Sequence, residues 1–210
     1  MRSAFMLAAA LSGTRLSPLD DAIEHFRSVE TYQVTLRSSR ADGEHHIRYV
    51  YRKPGFVRMD FITPHAGAVL VYSPLTRRVR LWPRGAGRFP ELSLSPNNPL
   101  IRSPGGQTVD KSDVGALFDN VRTLLAQGEA EVRGEADLAG RSALHLVVSG
   151  APGIPVAGVH RYELWLDTSS RFPLKVISRD RQDAVIETVT MEALQINPPL
   201  AQTLFDPGEE

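Results

Sequence analysis

The chain has 210 residues, of which 42% are hydrophobic and 23% charged, and these ordinary globular proportions exclude wholesale disorder. Its 24 basic and 24 acidic residues give a formal net charge of zero, so nucleic-acid binding, which depends on phosphate neutralisation, is not expected. The absence of cysteine excludes disulfides, thiolate metal sites and cysteine nucleophiles.

The first residues have the pattern of an export signal. One basic residue, Arg2, precedes a short apolar run that ends in small residues. The run is shorter than the ~20 residues that a helix needs to cross a bilayer. An ordinary first helix is the alternative. We predict a signal peptide or its remnant at residues 1–16 and a single domain at residues 17–210, exported and soluble after processing.

A short amphipathic helix is predicted next. Ser17 suits the N-cap, Pro18 suits the first helical position, and Asp20 can reach back as in a capping box. Apolar residues then recur at helical spacing, which predicts a helix that covers another surface. These residues are Leu19, Ala22, Ile23, Phe26 and Val29.

Alternating polar and apolar residues predict strands from Thr31 onward. Short turns such as Asp42-Gly43 separate them, which is typical of an antiparallel meander. A second group of strands follows near the end of the chain. The predicted strands lie at about residues 32–36, 47–51, 57–61, 68–72, 79–82, 130–135, 142–149, 159–167, 174–179 and 185–194.

A long loop and a second helix separate the two groups of strands. Residues 89–106 are rich in Pro, Ser, Asn and Gly and are predicted to form a loop. Asp110 or Ser112 is predicted to cap the helix, and Gly128 to end it. Its broad apolar side predicts that it lies on a sheet or over a cavity. That side consists of Val114, Leu117, Phe118, Val121, Leu124 and Leu125.

The order of elements predicts an α+β fold. No strand–helix–strand alternation occurs, so a doubly wound sheet is not expected. We predict a curled antiparallel sheet, or half-open barrel, whose concave face is covered by the amphipathic helices.

No motif points to catalysis, a metal or a cofactor. His45 and His46 are adjacent on a strand, so they point to opposite faces. His145 and His160 are candidate cross-strand neighbours, but no carboxylate stands at ligand spacing. We therefore expect a non-enzyme without metal or cofactor, although convergent polar groups with shifted pKa values in a cavity would favour an enzyme.

Several strand residues fit either a packed core or a lipid pocket. Both environments select the same apolar side chains, so the two interpretations are hard to separate. On pattern alone, we favour a packed core over a pocket. The residues concerned are Tyr49, Tyr51, Met59, Phe61, Leu81, Leu164, Leu166 and Val176.

Four segments, in order, resemble the LolA and LolB families of periplasmic lipoprotein carriers and receptors. YVYRKPGFVRMDF at residues 49–61 resembles their aromatic strand, basic-Pro step and following strand, and LVYSP at residues 70–74 resembles their polar-Pro turn. LWLD at residues 164–167, with FPLK at residues 172–175, is similar to a later strand–turn–strand. INPPL at residues 196–200 is similar to the closing segment.

This resemblance implies a half-open barrel over an apolar cavity, and transport or sensing of acylated molecules. It places Lys53 where the carriers use an arginine to hold the covering helices shut, although lysine lacks the planar fork of arginine. We expect a monomer that binds a lipid or an acylated lipoprotein, and possibly other envelope proteins. The alternative is an envelope interaction or lipid-sensing domain that is not a carrier. The predicted ligand-binding residues are Tyr49, Tyr51, Lys53, Val57, Met59, Phe61, Val71, Leu81, Leu117, Val121, Leu124, Leu164, Leu166 and Val176.

Overall fold

The computed structural model describes residues 17–102 and 107–206. Within these residues, eleven antiparallel strands form one sheet in the order β6-β5-β4-β3-β2-β1-β11-β10-β9-β8-β7. Its end strands do not pair with each other, so the sheet forms a curled half-barrel, as predicted. The predicted signal segment, residues 1–16, lies outside the described residues.

The strands follow the alternation of the sequence closely. Consecutive strands pair with each other within each group, β1 to β6 and β7 to β11, and the β1–β11 pairing joins the two groups. The strands are β1 (Thr31–Arg40), β2 (Gly43–Arg52), β3 (Phe56–Thr63), β4 (Val69–Ser73), β5 (Arg78–Trp82), β6 (Leu92–Leu94), β7 (Glu129–Leu138), β8 (Arg141–Ser149), β9 (Arg161–Asp167), β10 (Pro173–Arg179) and β11 (Val185–Ile196).

The strand order explains why helix α2 (Val114–Leu125) crosses the sheet. Strands β6 and β7 are consecutive in the chain but form opposite edges of the sheet. The connection between them must therefore pass from one edge to the other. It carries a 3-10 helix (Val109–Lys111) and α2, whose apolar side is buried.

Helix α1 (Pro18–Arg27) begins as the sequence predicts. The Ser17 hydroxyl oxygen accepts a hydrogen bond of 3.2 Å from the backbone N–H of Asp20, and Pro18 occupies the first turn. Leu19 and Ala22 are buried. The apolar spacing therefore marks the side of the helix that packs on the rest of the molecule.

The cap of α2 differs from the prediction. Asp113 is the N-cap, and its carboxylate accepts hydrogen bonds from Gly115 N–H (2.7 Å) and Ala116 N–H (3.2 Å). The predicted caps were wrong because Asp110 belongs to the preceding 3-10 helix and the Ser112 hydroxyl donates back to the carbonyl of Val109.

Aromatic side chains fill one end of the concave face. Tyr32 and Tyr51 stack with ring centroids 5.0 Å apart, and Phe172 meets Tyr32 edge-on at the same distance. Phe26 of α1 contacts Phe118 of α2 at 5.9 Å. The two helices and the sheet therefore share one dry core at this end.

A second cluster lies on the opposite, convex face. Val69, Val71 and Trp82 pack there with Phe205 of a second 3-10 helix (Gln202–Phe205). Val71, a predicted ligand-binding residue, therefore lies on the face opposite the cavity, and the neighbouring Leu70 is the residue of this pair that belongs to the concave side. Both faces of β4 are covered, so its sequence shows no alternation that distinguishes them.

Two local predictions are corrected. Residues 89–106 were predicted as loop, but Leu92–Leu94 forms β6 and Leu92 pairs with Leu81; three residues are too short to show alternation. His145 and His160 are not cross-strand partners. His145 pairs with Trp165 and stacks on its ring at 4.1 Å, because His160 precedes β9.

Candidate functional site: a cavity on the concave face

Beyond the aromatic end, the concave face encloses a cavity of about 760 Å³. This volume falls within the range of roughly 300–1,000 Å³ that is typical of small-molecule sites. The sheet forms one wall, and the connection from β6 to α2 contributes residues to the other.

The sheet wall is apolar because inward-facing residues are in register across neighbouring strands. Leu36 of β1 pairs with Ile47 of β2, which pairs with Phe61 of β3, and on its other side Leu36 pairs with Met191 of β11. These side chains keep part of their surface exposed although they lie on the inner face. The wall therefore presents apolar surface that none of the described residues fully covers. The apolar lining of the sheet includes Val34, Leu36, Ile47, Met59, Phe61, Leu70, Leu81, Val176, Val189 and Met191.

Two tyrosines connect the sheet to the start of α2. The Tyr49 hydroxyl lies 3.1 Å from the Ser112 hydroxyl, and the Tyr32 hydroxyl oxygen accepts a hydrogen bond of 3.2 Å from Val114 N–H. Burial raises the pKa of both tyrosines well above the usual value. Both phenols are therefore neutral at physiological pH and add rings, without charge, to the lining.

The far end of the cavity is polar. Arg40, Glu187, Ser178 and Tyr162 form a row across strands β1, β11, β10 and β9, in register with one another. Arg40 Nε donates to Glu187 Oε1 over 2.6 Å, and the Ser38 hydroxyl donates to the same oxygen over 2.5 Å. The cavity thus changes from apolar walls to a hydrogen-bonded polar end.

The connecting segment contributes a mixed wall. Ile101, Val109 and Leu117 are apolar and line the cavity, whereas Arg102 and Lys111 bring positive charge. Leu117 is half-buried, while its neighbour on the same helix, Phe118, is 2% exposed. Leu117 therefore faces the cavity, and the rest of the apolar side of α2 packs into the core.

The structure divides the predicted ligand-binding residues into two main groups. Tyr49, Met59, Phe61, Leu81, Leu117 and Val176 line the cavity. Others belong to the packed core and do not line it, because the helices cover that part of the concave face. They are Tyr51, Val57, Val121, Leu124, Leu164 and Leu166.

Lys53 lies outside the cavity lining and contacts helix α1 instead. Its Nζ donates to the carbonyl of Arg27, the last residue of α1, over 2.5 Å and to Glu30 Oε1 over 3.0 Å. This lysine therefore ties the end of a covering helix to the turn after β2.

Several lining residues were missed by the sequence analysis. Ile47 was recognisable, because it alternates with the predicted site residues Tyr49 and Tyr51 on β2, and Leu36 is its partner on the neighbouring strand β1. Val189 and Met191 were not, since their position depends on the pairing of β1 with β11, which are far apart in sequence.

Two observations concern other kinds of site. Within residues 17–102 and 107–206, no three His, Asp or Glu side chains are grouped to hold a metal ion. No helix in this part of the chain is long and apolar enough to cross a membrane.

Comparison with known proteins identifies the fold. The sequence model of the MucB/RseB N-terminal domain matches residues 106–208, just under half of the chain. No curated protein sequence matches. The solved structures that superpose on most of the chain include the following three.

An uncharacterized conserved protein from Thermus thermophilus is 16% identical, with a TM-score of 0.53 over 89% of this chain and 90% of that one. MucB in the Pseudomonas aeruginosa MucA/MucB complex is 18% identical, with a TM-score of 0.53 over 89% of this chain and only 60% of that one. The Mycobacterium tuberculosis lipoprotein LppX is 8% identical, with a TM-score of 0.53 over 88% and 95% of the two chains.

These identities show a shared fold and nothing finer. The fold is LolA/LolB-like, which confirms the resemblance drawn from the sequence motifs.

Proposed function

We propose that this domain binds the acyl chain of a lipid or lipoprotein in its concave cavity and acts as a soluble periplasmic carrier, not as an enzyme. One observation carries the proposal. The concave face encloses a cavity of about 760 Å³ with a largely apolar lining, and several of the lining side chains, among them Leu36, Phe61 and Met191, are only partly buried. In a domain with a purely structural role, we would expect this surface to be packed, because protein interiors are normally close-packed.

The chemistry of the lining favours an alkyl chain. Each CH₂ group that moves from water into such a site stabilises the complex by ~0.8 kcal/mol, so a long chain gains affinity without specific polar contacts. Methionine side chains at Met59 and Met191 add adaptable surface, which suits ligands that differ in shape.

A second candidate function is binding of another envelope protein. The MucB/RseB match and the MucA/MucB complex among the structural relatives favour it. Strand β7 could serve such a role, because it is an edge strand whose residues are mostly exposed. The unfilled concave face favours the carrier function, since edge pairing needs no cavity.

The proposal is tested by filling the cavity. Val189→Trp adds a bulky ring on the inner face of β11, and Thr190→Trp adds the same ring at the next position, which does not line the cavity. Binding is measured by titrating delipidated full-length protein with the fluorescent probe N-phenyl-1-naphthylamine. We expect one probe per chain, at least tenfold weaker binding in Val189→Trp, and unchanged binding in Thr190→Trp.

Two results would contradict the proposal. One is wild-type protein that binds neither this probe nor a fluorescent fatty acid. The other is equal loss of binding in both tryptophan variants, which would place the probe outside the cavity. In either case, protein partner binding becomes the better account.

A further inference from the structure

Equal numbers of positively and negatively charged side chains line the cavity. Among the described lining residues, three are basic and three are acidic, so the formal charge of the lining is zero with histidines neutral. A site built for a free carboxylate or phosphate usually presents an excess of positive charge. This lining has no such excess of positive charge. The six residues are Arg40, Arg102, Lys111, Asp42, Asp113 and Glu187.

Arg40, at the polar end, already forms an ion pair with Glu187. Arg40 Nε and Nη2 both lie 2.6 Å from Glu187 Oε1, and the side chains of the pair are 21% and 15% exposed. The Ser38 hydroxyl donates to the same oxygen. An incoming anion would have to displace Glu187 or lie beside its negative charge, and both cost free energy in a partly desolvated site.

A buried hydroxyl at this end lacks a hydrogen bond. Tyr162 is 3% exposed and lines the cavity, and its hydroxyl oxygen makes no hydrogen bond with any described residue. Burial, together with the nearby negative charge of Glu187, raises the pKa of Tyr162 to about 12. The Asn120 side chain lies near this hydroxyl and acts to lower the pKa, but it is outside hydrogen-bond geometry. A phenol that stays protonated can donate one hydrogen bond and accept another.

The neighbours of Tyr162 share this dual character. The hydroxyl of Ser178, the cross-strand partner of Tyr162, donates to the Glu187 carbonyl over 3.4 Å and can still accept a hydrogen bond, and Asn120 of α2 carries an amide that both donates and accepts. The Glu187 carboxylate adds an acceptor beside them. A group that both donates and accepts hydrogen bonds, and that carries no charge, matches this set.

We propose that the polar end of the cavity binds an uncharged headgroup bearing hydroxyls, so that the preferred cargo is a neutral acyl lipid such as an acylglycerol or an alkyl glycoside. This inference rests on the proposed function, because it assumes that the alkyl chain occupies the apolar part of the cavity. Tyr162, Ser178, Asn120 and Glu187 would hydrogen-bond the headgroup.

Ligands with one chain and different headgroups test the inference. 1-Monooleoylglycerol, oleyl glucoside, oleate and methyl oleate each compete for N-phenyl-1-naphthylamine bound to wild-type protein. We expect monooleoylglycerol or oleyl glucoside to compete at least tenfold more tightly than oleate and methyl oleate, and the better of the two identifies the kind of hydroxylated headgroup. Tightest competition by oleate, or equal competition by all four ligands, would overturn the inference while leaving acyl-chain binding intact. If no oleyl compound competes, the proposed function itself fails, and the inference fails with it.

A conservative variant tests the role of Tyr162. Tyr162→Phe removes only the hydroxyl, and one hydrogen bond corresponds to about a three- to tenfold loss of affinity for the hydroxylated ligand. Methyl oleate should compete equally well in both proteins. Tyr72→Phe is the matched control, because Tyr72 lies in the core outside the cavity lining. Unchanged affinity for the hydroxylated ligand in Tyr162→Phe, or an equal loss in Tyr72→Phe, would refute the assignment of Tyr162.

Discussion

Introducing an aspartate at each of two positions of α2 distinguishes a side chain that faces the cavity from one that is packed in the core. Leu117 and Val121 lie one helical turn apart, but Leu117 faces the cavity and is half-buried, whereas Val121 is 0% exposed within the core. In Leu117→Asp, the carboxylate can remain hydrated inside the cavity. The lost apolar burial is then about half that of a fully buried leucine, or roughly 0.8–1.5 kcal/mol.

Val121→Asp should be far more disruptive. It loses roughly 1.5–3 kcal/mol of valine burial and places a carboxylate without a counterion in the core, which adds several kcal/mol. The sum approaches the whole stability of a typical domain, about 5–15 kcal/mol. We therefore expect Val121→Asp to be largely unfolded.

Thermal unfolding and probe titration give the comparison. Leu117→Asp should lower the Tm by about 2–6 °C, at roughly 2–4 °C per kcal/mol for a chain of this size. It should also weaken acyl-chain binding on the order of 100-fold, because the chain must desolvate the new carboxylate. If Leu117→Asp unfolds the protein as fully as Val121→Asp, or binds the probe normally, Leu117 does not face a ligand cavity.

Three further predictions concern stability and release. Lys53→Ala should lower the free energy of unfolding by at most about 1 kcal/mol, since the Glu30 side chain in its ion pair is 69% exposed. It should nevertheless accelerate ligand release in a stopped-flow chase, because Lys53 holds the end of α1. An unchanged release rate would exclude this role. Burial alone would raise the pKa of Glu163, but the hydrogen bond and charge of Arg179 lower it overall, so the free energy of unfolding should fall as the pH drops below the ordinary pKa of 4.5. This fall should be less steep in Glu163→Gln, which cannot titrate at this position. Equal pH slopes for the two proteins in denaturant titrations would refute this prediction. Phe205→Ala should cost about 3–5 kcal/mol, because Phe205 is 5% exposed in the convex cluster; a loss below 1 kcal/mol in denaturant unfolding would mean that the second 3-10 helix is not part of the core.

Local sequence signals predicted most of the architecture. The Ser17 cap and the alternation of β1 and β2 depend on residues a few positions apart, and both appear as expected. The half-barrel followed from the order of elements and from ordered motifs that resemble a known superfamily. These are features that short-range physics or a familiar pattern determines.

The site was harder to predict because it depends on long-range packing. Leu36 and Leu164 both have inward-facing aliphatic side chains, yet only Leu36 reaches the cavity, since Leu164 lies in the part of the core that the helices cover. Val71 could not be assigned to a face because β4 is covered on both sides. The row from Arg40 to Tyr162 required the pairing of β1 with β11, which no local pattern reveals.

The position of a bound acyl chain decides whether the concave cavity is the binding site. Nuclear Overhauser effects from the methylenes of bound 1-monooleoylglycerol to protein methyl groups would report which face holds the chain. The account predicts contacts with Leu36, Val189 and Met191 on the concave face, and none with Val71 on the convex face. Contacts confined to Val71 or to exposed surface residues, with the cavity methyl groups silent, would contradict it.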